Sequence, residues 1–172
     1  CMGWMQRLSV GILAASLAAS ASALTLKRGN QGEPDTLDPP KYSLVIELNI
    51  LNDLFDGLVV ADARGEPVPG AAERWDVSAD GTVYTFHLRA GLKWSDGTPL
   101  TAEDFVAGWR RALDPATAAQ LVDLAYTVRN ARAVAAGEKP PAELGVRAVD
   151  AQTFEVTLEA PDAAFIRLVA GY

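Results

Sequence analysis

The sequence predicts a mixed α/β domain, and three observations carry that expectation. Residues 83–89 alternate, with Tyr84, Phe86 and Leu88 on one face and Val83, Thr85, His87 and Arg89 on the other, which is the period of a half-buried strand. Residues 153–158 do the same, with Phe154, Val156 and Leu158 opposite Thr153, Glu155 and Thr157. Between them Thr101 opens a helix. It is a good N-cap, Glu103 and Asp104 suit the positive end of the helix dipole, and Phe105, Trp109 and Leu113 continue one apolar stripe.

The remaining elements follow in chain order. Arg7, the apolar run 8–19 and the small residues Ala21-Ser22-Ala23 read as an export leader, residues 1–23, cut before Leu24. The run is short for a membrane span, which needs about 20 residues. The sole cysteine, Cys1, stands at the head of the leader and not at the cut, so the exported chain would be cysteine-free and not lipidated, and a start at Cys1 suggests an incomplete or misplaced gene start. Residues 24–28 suit a short strand, 29–40 an irregular segment and 42–45 an extended one. Residues 47–55 place Leu48, Leu51 and Phe55 on one helical face, with Gly57 as the stop.

Residues 58–61 and 66–68 flank a 62–65 turn as a hairpin, and 72–77 form a strand that reaches the next through Asp80-Gly81. Asp96-Gly97 marks a second turn before the Thr101 cap, with Leu100 and Phe105 spaced for a hydrophobic staple. Asp104 at the third helical position is a shorter acid than the usual capping-box partner. Asp114-Pro115 ends that helix. Residues 117–136 are rich in Ala and Leu and read as helical with a break near Thr127 and a stop at Gly137. A loop at Pro140-Pro141, strands over 146–149 and 153–158, and a last helix over 163–170 complete the chain. That helix runs uncapped toward Tyr172, which suggests a truncated chain.

Composition narrows the chemistry. With 172 residues, 49 % hydrophobic and 22 % charged, the chain has the makeup of a globular protein with one modest core. Its net charge of −7 becomes −8 once the leader, with one basic residue and no acid, is removed. Such a surface repels nucleic acid. One histidine and one leader thiol allow no nucleophile triad and no usual zinc set, so no catalytic residue, metal or cofactor is expected. His87 falls on the polar strand face, Glu103-Asp104 reads as a cap, and Trp75, Trp94 and Trp109 read as packing residues rather than a ligand cleft.

The ordered pieces A-E-x-W, D-G-x-x-Y-x-F-x-L-R and K-W-S-D-G-x-P-x-T-A-x-D-F-V, spread over residues 72–106, resemble the extracytoplasmic solute-binding proteins of peptide ABC importers, family 5. The resemblance extends through 33–39, 53–58, 114–118, 136–140, 144–146 and 153–158, and is greatest to the oligopeptide-binding branch. It implies a periplasmic-binding-protein-like fold of two lobes that close over the ligand. Here that would mean the first segment of lobe I at residues 24–55 and most of a small inserted domain at 56–172, truncated at its C-terminus. It implies a monomeric periplasmic receptor that delivers peptides to an inner-membrane ABC permease. The ligand contacts it implies are the backbone of Tyr42, Ser43, Leu44 and Val45, lying beside the peptide as an added strand would, and Leu121, which stands where the branch carries a tyrosine. Alternatives are a nickel, sugar or haem-like ligand in the same family, a secreted hydrolase, or a structural envelope module.

Overall fold

The computed structural model describes residues 29–30 and 32–170. The expected leader, its cleavage point, Cys1, the 24–28 strand and Tyr172 lie outside the described residues.

Four strands form the central antiparallel sheet, β3 (Ala72–Val77), β4 (Val83–Leu88), β5 (Val146–Asp150) and β6 (Thr153–Thr157), in the order β3-β4-β6-β5. The alternation read from sequence fixes which side is buried. Tyr84, Phe86 and Leu88 of β4 sit in register with the Phe154 and Val156 side of β6, and all of these are buried. Between β3 and β4 the chain reverses at Gly81, whose φ of +71° suits the residue without a Cβ. A tighter constraint operates at Gly145, where a Cβ would lie 2.7 Å from the Thr157 carbonyl oxygen. A shorter hairpin, β1 (Val59–Ala61) with β2 (Pro67–Pro69), pairs antiparallel beside the sheet.

The helix α2 (Ala102–Leu113) covers one sheet face. Asp104 closes its first turn by accepting hydrogen bonds from the Thr101 backbone N–H at 2.7 Å and from the Thr101 hydroxyl at 3.0 Å, so the shorter acid does reach back to the cap. Phe105 and Trp109 then meet the Phe154 ring at centroid distances of 5.9 and 6.3 Å. The helix α4 (Phe165–Val169) adds Phe165, 4.9 Å from the Tyr84 ring, and the Tyr84 hydroxyl donates to the Asp162 carbonyl at 2.8 Å. One continuous buried cluster runs from Leu58 to Val169.

Several expectations need correction. The stretch 117–136 is mostly not α-helical. It begins on the last residue of a 3-10 turn, Pro115–Thr117, and holds a second at Val122–Ala125 and a short α3 (Ala131–Ala135), because Ala118 and Asn130 adopt left-handed φ values of 53° and 64° that end any helical run. Gly137, with φ +74°, does stop α3. The first helix, α1 (Val45–Leu54), starts earlier than read and ends before Phe55, which is extended and 48 % exposed. Phe55 therefore does not share the inward stripe, and the stop precedes Gly57. The last helix spans only α4. Trp94 is 41 % exposed and does not pack on the buried cluster; it sits at a turn, its N–H donating to the Thr98 carbonyl and its carbonyl accepting from the Gly97 N–H.

Candidate functional site

The segment expected to meet a ligand begins with a rigid turn. Asp38 precedes two prolines, and Pro39–Lys41 form a 3-10 turn closed by the Lys41 N–H donating to the Asp38 carbonyl at 2.9 Å. Beyond it the chain is extended, with Tyr42 at φ −66°, ψ 148° and Leu44 at φ −120°, ψ 151°. Val45 is not part of that extension. It is the first residue of α1, so the extended piece is Tyr42, Ser43 and Leu44.

What holds this piece is Glu47. Its side chain is almost wholly enclosed, at 1 % exposure, and is the only buried charged group among the described residues. Oε2 accepts the N–H groups of Ser43 at 2.8 Å and Leu44 at 3.0 Å, while Oε1 accepts that of Asp35 at 3.2 Å. The Ser43 and Leu44 bonds hold the carboxyl below its ordinary value, against the opposing effect of burial. The Leu44 carbonyl is also engaged, by the N–H groups of Glu47 and Leu48. Of the backbone groups that an added strand would use, the N–H of Ser43 and both groups of Leu44 are thus spent internally.

Two further contacts tie the segment to the sheet domain. Arg111 of α2 grips Asp38 through both carboxylate oxygens, at 2.8 and 2.6 Å, and this hydrogen bonding lowers the Asp38 pKa. The Gln120 N–H donates to the Pro40 carbonyl at 3.1 Å, which brings Leu121 to the same side of the molecule as Tyr42–Leu44. Leu121 is 38 % exposed. Tyr126, the nearest tyrosine in sequence, instead packs on the core, with the Arg132 guanidinium 4.5 Å from its ring centroid.

Sequence reasoning missed Glu47, Asp38, Arg111 and Gln120. One of them was visible. Glu47 lies four residues before Leu51 and so shares its helical face, and an acid on a buried stripe signals a demand for hydrogen-bond donors. Asp38–Arg111 joins residues 73 positions apart, for which local pattern has no signal.

Elsewhere, His87 lies on the outer sheet face, its Nε2 2.8 Å from Asp76 Oδ2. Among the described residues no group of three or more His, Cys, Asp or Glu is placed to hold a metal ion, and no helix is long and apolar enough to cross a membrane.

Residues 66–172 match the family described as bacterial extracellular solute-binding proteins, family 5 Middle. The periplasmic oligopeptide-binding protein OppA of Salmonella typhimurium is 45 % identical over 94 % of this chain, and the probable deoxycholate-binding periplasmic protein YgiS of Escherichia coli is 49 % identical over 82 %. The chain spans 32 % of the length of the first and 27 % of the second. The structure of the Escherichia coli murein tripeptide binding protein MppA superposes with a TM-score of 0.77 at 44 % identity, covering 80 % of this chain and 27 % of that one.

Proposed function

Because this chain belongs to the bacterial extracellular solute-binding proteins of family 5, we propose that it serves in a periplasmic receptor that captures peptides and delivers them to an inner-membrane ABC permease. The observation that carries the reading is 45 % identity over 94 % of the chain to a protein named for oligopeptide binding. The receptor works as a monomer without a catalytic step of its own. Residues 24–55 begin its first ligand-binding lobe and residues 56–172 form a small inserted domain. The position of the core supports that division, since the buried cluster begins at Leu58 and leaves out Glu47 and Leu51. Tyr42, Ser43, Val45 and Leu121 face the peptide, with Leu44 as backbone support.

A second ligand class is favoured by one observation. The relative at 49 % identity is named for probable deoxycholate binding, and Leu121 offers an exposed apolar side chain rather than a hydroxyl. The test is a chimera in which the matched part of the Salmonella protein is replaced by this chain, titrated calorimetrically with mixed short peptides and with deoxycholate. Saturable heat from peptides is expected. Heat from deoxycholate alone favours the second class, and heat from neither overturns both. The 172-residue chain by itself is expected to give no saturable heat, because a two-lobed receptor needs an opposing wall.

A further inference from the structure

The group that this reading leaves without a task is the buried carboxylate of Glu47. A helix cap explains only part of its geometry. A capping box would need the Leu44 N–H and a hydroxyl at position 44, and leucine has none. The bonds to Ser43 and to Asp35, 12 residues back along the chain, lie outside that motif. A carboxylate enclosed to 1 % exposure is costly unless donors surround it, and here they come from two separate stretches of backbone.

We propose that Glu47 is a positioning residue for the ligand-facing segment. By drawing the N–H groups of Ser43 and Leu44 inward, it fixes the extended shape of the segment and turns its polarity. Ser43 is exposed, and its carbonyl and hydroxyl have no partner among the described residues. Along the main chain at this position the receptor therefore offers its ligand an acceptor, the Ser43 carbonyl, and the matching ligand group is a donor, the N–H or ammonium group of a peptide. An added strand that needed donors from Ser43 and Leu44 would find both taken. The Arg111 grip on Asp38 and the Gln120 bond to Pro40 hold the other end of the same segment, so its shape exists before a ligand arrives.

This inference rests on the peptide reading for its ligand and on geometry alone for the positioning, and the two separate in the test. Amide hydrogen exchange followed by NMR in the 172-residue chain should find Ser43 and Leu44 protected although the segment lies at the surface. Glu47→Met, which keeps the volume and removes both acceptors, should speed exchange at Asp35, Ser43 and Leu44 by about tenfold or more, with the Phe86 and Phe154 amides unchanged. Glu47→Gln, with one acceptor oxygen left, should fall between. In the chimera Glu47→Met should weaken peptide binding about tenfold. Unprotected Ser43 and Leu44 amides in the unsubstituted chain, or rates unmoved by Glu47→Met, overturn the positioning role. Equal acceleration of the sheet amides also overturns it, since Glu47 would then be a general stabiliser. A chimera that binds no peptide removes the functional reading and leaves the exchange result to decide the role of Glu47.

Discussion

The sheet domain gathers its large apolar residues into one buried cluster, whereas the N-terminal arm buries Leu51 and leaves several others at the surface. Phe86, Phe154 and Phe165 are each fully buried, whereas Leu44, Val45, Leu54 and Phe55 of the arm are 48, 71, 59 and 48 % exposed. The domain is closed by its own side chains. The arm is held by polar contacts at chosen points: Glu47 on backbone N–H groups, Arg111 on Asp38, and Gln120 on Pro40. Burial of apolar area is strong and directionless, while hydrogen bonds fix geometry at small net gain. The domain is therefore the stable body, and the arm is the shaped part.

That contrast breaks most readily at Phe154, which touches Phe86, Phe105 and Trp109. Phe154→Ala should cost about 3 to 5 kcal/mol. Trp109→Ala should cost less than that full range, because Trp109 is only partly buried against the core. Chemical denaturation of both variants checks the order. If Trp109→Ala proves the more damaging, the helix rather than the sheet organises the body.

The body was also the legible part of the sequence. Strand alternation at Tyr84, Phe86 and Leu88, the Thr101 cap and the Gly81 turn are local signals, and the structure places each as read. The 117–136 stretch was misread because alanine and leucine favour a helix only until backbone geometry forbids one. Neither Ala118 nor Asn130 announces a left-handed conformation in its residue type strongly enough to outvote its neighbours. The arm was half legible. Its location followed from the family resemblance, but the residues that hold it act across distance, as Arg111 does on Asp38, or through an acid hidden on an apolar stripe, as Glu47 does.

Acid should sharpen the comparison next. The Glu47 carboxyl is held below its ordinary 4.5 by the Ser43 and Leu44 N–H groups, so the folded state favours its charged form. Its contribution is complete above that ordinary value and is lost as pH falls through the lower folded one. The Ser43 and Leu44 amide resonances should therefore shift together under acid, at a pH below 4.5, and the same titration should be absent from Glu47→Gln. A midpoint above 4.5 would mean that burial outweighs the N–H bonds and that the segment is held less firmly than its distances indicate.

The smallest effects distinguish two polar side-chain pairs of similar length. Arg111 and Asp38 join the arm to α2, whereas His87 and Asp76 lie 2.8 Å apart on the outer face of the sheet. Both pairs face solvent, so neither substitution should move the denaturation midpoint appreciably. The arm should nevertheless feel one of them. Arg111→Ala removes both bonds to Asp38 while the Gln120 contact on Pro40 stays, so exchange at Lys41, whose N–H closes the turn on Asp38, should quicken. His87→Ala should leave every amide rate within error, because β4 is paired on both sides by β3 and β6 and needs no side-chain contact on its outer face to stay in register. Faster exchange along β4 in His87→Ala would show that the sheet too depends on polar contacts, and the division of labour between body and arm would fail.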